Sequence, residues 1–366
     1  MSESAVVVLD CGSHTVKAGY ALPEQDPYVV TPSAVRVVED EACESTDNES
    51  LSCPIRRGLV EDWEQVESIW HYIFYEELGW VYGDEGSVLY TEPLFTPRKS
   101  RENLSQILFE TFNVQGLYVQ DQSVCSLYAM GRLTGCVVDI GHGRYDIVPV
   151  HEGLALSPAS RRMPYAGEDL TTLLQRLLSE RPGGAAAQLD FAIAATIKEA
   201  CITVSESQAK YEESMRIGVE EETHTLPDGN QISIGSERLD LGEVFFQPGL
   251  LGLDPNEAGI VDETYSAIMA CQSEHRKSMF ESVVLCGGTG VTKGLDSRFQ
   301  DELNQLAPRP VSLAKPPEYL PEDTLKYSAW TGGAILAKVV FPQNQFVTRF
   351  DYDEYGPMIM HKKCCA

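Results

Sequence analysis

The first apolar run of the chain, residues 6–9, has the length of a fully buried strand, and Asp10 follows it at once. Gly12 and Ser13 allow a tight reversal, and residues 15–20 are typical of a returning strand. The tip of this hairpin carries a carboxylate, a glycine, a hydroxyl and a lysine. Such a tip could hold an anion, or it could be only a hairpin.

The same pattern recurs in residues 135–150, where a short apolar strand ends at Asp139 and a turn follows at Gly141 and Gly143. Two such units predict two related half-domains. Backbone N–H groups at the two tips could converge on phosphate oxygens, and the two carboxylates could hold a hydrated divalent cation. A third apolar strand, residues 283–286, runs into a glycine-rich turn and a helix. This arrangement either cradles an anion or only packs closely.

Helices and strands alternate along the rest of the chain. Apolar residues at helical spacing follow Asp62, a potential N-cap. Four further segments have helical spacing, and residues 224–238 predict a hairpin whose turn contains Pro227, Asp228 and Gly229. The four helical segments are residues 98–113, 168–180, 189–204 and 327–341, the last rich in small residues that permit close helix contact. The pattern predicts an α/β protein with mixed sheets.

Composition excludes several classes of protein. The 366 residues carry a formal net charge of −27 and no extended basic patch, so direct binding to nucleic acid is not expected. Ten scattered cysteines without a C-x-x-C pair predict free thiols rather than disulfides or a zinc site. We expect no secretory signal and no membrane span. The sequence contains neither a P-loop nor a complete G-x-G-x-x-G motif, which argues against P-loop and Rossmann nucleotide sites.

Three blocks, "DCGSHTVKAG", "GCVVDIGHG" and "VVLCGGTG", resemble the two phosphate motifs and the adenosine motif of the actin family. Blocks such as "IWHYIFYEEL", "LPDGNQISIGSER" and "KYSAWTGGAILAKVVF" extend the resemblance over essentially the whole chain. Within the family, "DIGHG", "LGW" and "VVFPQNQ" look most like the plant nuclear actin-related proteins of the class numbered seven.

The resemblance implies an actin-like ATPase fold, with two α/β halves of mixed sheets around a nucleotide cleft. Residues 1–124, completed by residues 327–366, would form the first half, and residues 125–326 the second. Residues 33–54 replace the polymerisation loop of actin with a reduced, acidic and exposed segment.

The resemblance also implies a ligand, ATP or ADP with Mg²⁺, and a set of site residues. Asp10 and Asp139 would contact the metal through water. Phosphate contacts would come from Asp10, Gly12, Ser13, His14, Lys17, Asp139, Gly141, His142 and Gly143. Adenosine contacts would come from Lys198, Glu199, Gly288, Thr289 and Lys326, although the two lysines and Glu199 could equally be ordinary solvated residues.

Three positions decide what the resemblance implies about hydrolysis. Gln122 matches the glutamine that positions the attacking water in actin. His142 replaces an acid that orders the waters of the metal, and Asp146 stands where actin has a histidine near the attacking water. We therefore expect ATP hydrolysis to be very slow or absent, so that the protein is not an enzyme in the ordinary sense.

The function that this resemblance favours is that of a nucleotide-binding structural subunit of a chromatin-remodelling or chromatin-regulating complex. Such a protein would act in gene regulation and development, in the nucleus, with the cytoplasm as a second location. The alternative is a cytoskeletal, filament-forming actin-like ATPase, against which the reduced segment argues. A small-molecule kinase or chaperone ATPase of the same broad fold is a third class.

The expected partner is a basic, amphipathic helical segment of the complex's motor ATPase. It would dock in an apolar groove bordered by Tyr355, Met358 and Ile359, with Met360 adjoining. The other possibility is that these residues belong to the core. The resemblance implies no filament, no direct nucleic-acid contact and no membrane contact.

Overall fold

The computed structural model describes residues 6–38, 49–181, 189–226, 229, 231–254 and 256–364. The chain divides into two compact units. Unit 1 comprises Met1–Leu133, Val150–Ser157 and Lys315–Ala366, and unit 2 comprises Thr134–Pro149 and Pro158–Ala314. The divisions therefore fall at residues 133/134 and 314/315, whereas the resemblance placed them at 124/125 and 326/327. A short return of the chain, residues 150–157, also belongs to unit 1.

The strands of the described residues are short and numerous. They are β1 (Val7–Cys11), β2 (Thr15–Tyr20), β3 (Val29–Pro32), β4 (Val35–Val38), β5 (Glu49–Ser52), β6 (Ile55–Arg56), β7 (Leu59–Val60), β8 (Ser87–Glu92), β9 (Gly116–Asp121), β10 (Gly135–Ile140), β11 (Tyr145–His151), β12 (Leu154–Ala155), β13 (Arg161–Arg162), β14 (Glu222–Thr225), β15 (Gln231–Ile234), β16 (Val283–Cys286) and β17 (Val347–Thr348).

The α-helices of the described residues are α1 (Trp63–His71), α2 (Arg98–Gln106), α3 (Gln122–Ala129), α4 (Gly167–Ser179), α5 (Phe191–Cys201), α6 (Gln208–Ile217), α7 (Glu237–Glu243), α8 (Ile260–Ala270), α9 (Arg276–Glu281), α10 (Leu295–Leu306), α11 (Ser328–Val340), α12 (Arg349–Tyr355) and α13 (Met360–Lys363). Helices α1 and α2 continue as π-helical turns, Tyr72–Glu77 and Ile107–Thr111. Helix α1 begins as predicted, because Asp62 accepts a hydrogen bond from the Gln65 N–H.

Unit 1 is built on a six-stranded mixed sheet in the order β17, β9, β8, β1, β2, β3. Strands β1, β8 and β9 are parallel, while β2, β3 and β17 run antiparallel to their neighbours. Every residue of β1 is buried, which agrees with its continuous apolar run. Because β1, β8 and β9 are parallel, their carboxyl ends lie at one edge of the sheet, where open α/β sheets commonly bind ligands.

Helices α3 and α11 pack closely together within unit 1. The hydroxyls of Ser126 and Ser328 lie 2.9 Å apart, and a Cβ at Gly332 would clash with the carbonyl oxygen of Cys125. The small residues of the last predicted helix therefore permit the close contact that the sequence indicated. Trp330, on the same helix, is buried and donates its indole N–H to the carbonyl of Val8.

The sheet of unit 2 is centred on β10, which pairs in parallel with β16 and neighbours β11 on its other side. Strand β13 pairs with the start of β11. The end of β11 enters unit 1, where Val150 and His151 pair with β12. The predicted hairpin of residues 224–238 forms as β14 and β15, but Pro227 and Asp228 lie outside the described residues.

The predicted acidic segment also forms a hairpin where it is described. Strands β4 and β5 pair antiparallel, and residues 39–48 between them lie outside the described residues. Six cysteines of the described residues carry free thiols, as the sequence predicted for them: Cys11, Cys53, Cys125, Cys136, Cys201 and Cys271. No helix of the described parts of the chain combines the length and apolar character that crossing a bilayer requires.

Candidate functional site

Asp10 is fixed by the register of three strands in unit 1. It lies one residue before the end of β1, directly opposite Thr91 of β8 and Lys17 of β2. Gln122 follows β9 as the first residue of α3, whose N-cap Asp121 accepts from the N–H of Ser123. The parallel arrangement therefore brings residues from distant parts of the sequence to one edge of the sheet.

The side chain of Asp10 is almost fully buried, with 5% of its residue surface exposed. Its Oδ1 accepts hydrogen bonds from Thr91 Oγ1 at 2.6 Å and from Gln122 Nε2 at 2.7 Å. Its Oδ2 lies 3.5 Å from the ammonium of Lys17. Burial of an unpaired carboxylate would cost several kcal/mol, so these three donors make the position tenable. The sequence identified Asp10, Lys17 and Gln122 as site residues but missed Thr91. The only indication of Thr91 in the sequence was its position near the end of an apolar strand.

The first loop uses part of its backbone internally. The Gly12 N–H donates to the carbonyl of Thr15 at 3.1 Å, and the Gly12 carbonyl accepts from the Ser33 hydroxyl at 2.6 Å. The Ser13 hydroxyl accepts from the Gly58 N–H at 2.8 Å, and the His14 carbonyl accepts from the Ser33 N–H. The Gly12 N–H, expected to face phosphate, thus closes the hairpin turn instead.

The second loop in unit 2 has a comparable internal bond and a close backbone contact. The Gly141 N–H donates to the carbonyl of Arg144 at 2.8 Å, so this amide also closes a turn. Gly287, with φ near +90°, leaves β16 beside Asp139. A Cβ there would clash with Asp139 Oδ1 and lie 2.5 Å from the Ile140 carbonyl oxygen. That carbonyl accepts the N–H groups of both Thr289 and Gly290, at 2.9 and 3.0 Å.

Helix α4 begins against the second loop. The N–H of Gly167 donates to the carbonyl of Gly141, and the N–H of Glu168 donates to the carbonyl of His142. These bonds satisfy two of the amides that the first turn of a helix leaves without helical partners. A Cβ at Gly167 would clash with Thr289 Oγ1, so the loop, the helix start and the Gly287 turn form one tightly packed backbone junction.

Lys198 reaches this junction from α5. Its Nζ donates to the carbonyl of Gly167 at 2.8 Å, and only 2% of the residue is exposed. Burial lowers the pKa of Lys198 to about 8, an effect that the carboxylates of Glu199 and Glu168 partly oppose. Lys198 is therefore an unusually desolvated cation next to the proposed phosphate loop.

The other predicted adenosine residues differ in exposure. Glu199 and Gly288 are exposed in unit 2, and Thr289 is buried, its hydroxyl donating to the Gly141 carbonyl at 3.1 Å. A Cβ at Gly288 would meet no atom within 4 Å, so open space adjoins this position. In unit 1, Lys326 is exposed, and its Nζ lies 5.4 Å from the ring centre of Tyr327.

His142 and Gly143 occupy the tip of the second loop. The Nε2 of His142 lies 3.9 Å from Glu168 Oε2, and its ring packs edge-on against Phe191. A carboxylate on α4 therefore already faces the imidazole that the sequence placed near phosphate. Gly143 is buried between His142 and Arg144.

Arg144 is the residue of this loop that the sequence analysis missed. Its Nε lies 2.7 Å from Asp146 Oδ2, and its Nη2 lies 3.6 Å from Asp139 Oδ2. Magnesium prefers oxygen ligands, and the ion ordinarily keeps several of its waters in an octahedral arrangement. A guanidinium within 4 Å of the Asp139 carboxylate supplies positive charge where the metal would supply it, so the donor set at Asp139 does not fit a divalent cation. Among the described residues no cluster of three or more His, Cys, Asp or Glu side chains could hold a metal ion.

Gln122 and Asp146, two of the three residues expected to bear on hydrolysis, are both bound to neighbouring side chains. The amide of Gln122 donates to Asp10. Asp146 is buried, and Arg162 donates to both of its oxygens, at 2.7 and 3.0 Å, in addition to the contact from Arg144. This network holds Asp146 within unit 2 as the partner of two arginines.

The predicted partner residues separate into exposed and buried ones. Tyr355 and Met358 are 52% and 55% exposed, and the Lys362 ammonium lies 5.6 Å from the Tyr355 ring centre. Ile359 is only 5% exposed and packs in the hydrophobic core of unit 1 together with Met360. Ile359 therefore offers almost no surface to a partner, because the short helical turns after Gly356 direct it inward.

Comparison with known proteins gives a consistent assignment. The family model described as "Actin" matches residues 1–189 and 186–365. The chain is 46% identical to Actin-related protein 7 of Arabidopsis thaliana over 366 residues, covering 98% of this chain and 99% of the relative. It is also 46% identical to Actin-related protein 7 of Oryza sativa subsp. indica over 361 residues, with the same coverage. The resemblance read from the sequence and the actin-like fold class are thereby confirmed, and the chain belongs to the actin family.

Proposed function

We propose that the chain is a nucleotide-binding structural subunit of a nuclear complex that remodels or regulates chromatin, and that through it the protein acts in gene regulation and development. The observation that carries the proposal is the Asp10 carboxylate, which is buried, hydrogen-bonded and paired with Lys17 at the carboxyl edge of three parallel strands. The similarity to plant proteins named Actin-related protein 7 along nearly the whole chain supports it.

The proposed ligand is ATP or ADP. Lys17 would contact phosphate as a point charge, and Gly288, beside open space, would adjoin the adenosine.

Ligand at 100 times its Kd should stabilise the protein by about 2.7 kcal/mol, which a thermal-shift series with ATP or ADP would measure. Gly288→Leu should abolish the shift without destabilising the free protein, and Val291→Leu, also at an exposed residue, serves as the control. A wild-type protein that shows no shift with either nucleotide would contradict nucleotide binding.

We further propose that ATP hydrolysis is very slow or absent. Catalysis of phosphoryl transfer to water requires a positioned nucleophile. Gln122 is engaged by Asp10, and both oxygens of Asp146 are engaged by guanidinium groups. Phosphate release would measure ATP turnover, and sedimentation at high protein concentration would measure polymerisation. Sustained turnover with pelleting would instead favour a filament-forming ATPase.

The proposed partner is a basic amphipathic helix from the motor ATPase of the complex. The net charge of −27 would attract such a helix at long range, so its association rate should fall as salt rises. Tyr355 and Met358 offer exposed apolar contacts. A pull-down with the helix should lose most binding in the Tyr355→Ala/Met358→Ala double variant. Tyr28→Ala, at another exposed aromatic residue of unit 1, should bind normally. Undiminished binding by the double variant would place the partner surface elsewhere.

The complex itself can be identified by affinity purification of the full chain from nuclear extract, followed by mass spectrometry. We expect a motor ATPase and its associated chromatin subunits to be recovered at comparable amounts. Recovery from cytoplasmic extract of cytoskeletal proteins alone would contradict both the nuclear location and the structural role.

A further inference from the structure

Arg144 connects two aspartates of unit 2 that the sequence placed in different roles. It immediately precedes β11, the returning strand of the second hairpin, and only 12% of its side chain is exposed. Its Nε contacts Asp146 and its Nη2 faces Asp139. Asp139 is the residue that ends the apolar part of β10, so Arg144 links the two strands across the second loop.

The charges of this cluster are unevenly distributed. Asp146 is bound at both oxygens by Arg162, whose Nε and Nη2 donate at 2.7 and 3.0 Å. A bidentate arginine–carboxylate pair of this kind largely satisfies the carboxylate. Asp139 has 16% of its side chain exposed and faces Arg144 as its cation. The cluster contains two carboxylates and two guanidiniums, the second of them from Arg162 of β13, so its formal charges cancel.

A guanidinium stays protonated throughout the accessible pH range, and its planar fork matches phosphate oxygens as well as carboxylates. Bound divalent cations are ordinarily the largest local charge in a nucleotide site and screen the phosphates. In this chain a fixed cation is already present beside the carboxylate that would face such a metal. A guanidinium therefore occupies this position whether or not a metal is bound.

We infer that Arg144 replaces the divalent cation at the second loop, so that the chain binds the polyphosphate of a nucleoside di- or triphosphate without magnesium. This inference rests on the proposed nucleotide-binding function. Arg144 acts as the counter-charge and as the residue that determines metal independence. Asp139 then serves to hold the guanidinium rather than to contact a metal.

The test is calorimetric titration of ADP and ATP into the full chain, once in magnesium and once in EDTA. For the wild type we expect the two Kd values to agree within about threefold for each nucleotide, because the counter-charge is part of the protein. Arg144→Met should weaken binding in EDTA at least tenfold and should make the remaining binding depend on magnesium. Arg161→Met, at a neighbouring but more exposed arginine, removes the same charge and should leave both Kd values unchanged.

Asp139→Asn provides a second variant whose expected result does not depend on Arg144→Met folding normally. If Asp139 only restrains Arg144, the oxygen of the asparagine can still accept from the guanidinium, so binding in EDTA should be unchanged. If Asp139 contacts a metal, the same change should weaken binding in magnesium.

Two outcomes would overturn the inference in distinguishable ways. Wild-type binding that is tight in magnesium and at least tenfold weaker in EDTA would show that the metal supplies the charge, while nucleotide binding itself would stand. Absence of binding in both solutions, by a protein with an unchanged unfolding transition, would overturn the proposed nucleotide binding and this inference with it.

Discussion

Gly287 is the position where a single methyl group should affect unit 2 most sharply. Its φ near +90° lies in a region that residues with a Cβ rarely adopt, and an alanine there carries a strain of about 1–3 kcal/mol. The added Cβ would clash with Asp139 Oδ1 and would lie 2.5 Å from the Ile140 carbonyl oxygen. The carboxylate can rotate away, but the carbonyl is held by the N–H groups of Thr289 and Gly290.

Overpacking of this kind costs about 1–3 kcal/mol, so Gly287→Ala should destabilise unit 2 by about 2–6 kcal/mol. That is a large part of the 5–15 kcal/mol by which folded domains are ordinarily stable. For a unit of this size, each kcal/mol corresponds to about 2–4 °C, so the midpoint of thermal unfolding should fall by roughly 4–24 °C.

The control is the neighbouring residue. Gly288 has no positive φ, and a Cβ there would meet no atom within 4 Å, so Gly288→Ala should change stability by no more than about 0.5 kcal/mol. Urea unfolding of the two variants and the wild type, followed by far-UV circular dichroism without nucleotide, would compare them directly. Equal midpoints for Gly287→Ala and Gly288→Ala would refute the argument from backbone crowding.

Two further predictions concern buried charges of unit 2. Burial lowers the folded-state pKa of Lys198 to about 8, while the unfolded value stays near 10.5. The free-energy cost of burying the charged amine is therefore fully present below pH 8, and it is relieved as pH rises towards 10.5. The wild type should therefore gain about 1 kcal/mol over Lys198→Met between pH 7 and 9 in paired urea titrations, and a constant difference would contradict the buried amine. Glu243→Ala should destabilise the protein by about 3–5 kcal/mol in urea unfolding, because it leaves the guanidinium of Arg298 buried without its bidentate partner. Glu302→Ala, which removes the more exposed partner of the same arginine, should cost no more than about 1 kcal/mol, and equal losses would show that burial does not decide the cost.

Local sequence pattern was sufficient for the elements that carry the candidate site. The apolar runs before Asp10 and Asp139 predicted β1 and β10, because a strand buried on both faces carries apolar residues along most of its length. Asp62 identified the start of α1, because an N-cap is an interaction between residues three apart. The glycine turn after β16 was also visible, but whether it cradled an anion or only packed closely stayed open. The resemblance to actin drew on motifs spread over the whole chain and correctly identified the family.

Tertiary structure alone decided which side chains meet. Thr91 lies 81 residues from Asp10 in sequence and reaches it only because β8 and β1 are parallel and in that register. Arg144 is close to both aspartates along the chain, yet alternation along a strand does not show which carboxylate a flexible arginine will face. Ile359 and Met358 are adjacent, and only packing determined that one is buried and the other exposed. Periodicity records the burial of regular elements, whereas strand register, charge pairing and irregular turns depend on contacts between segments that the sequence keeps apart.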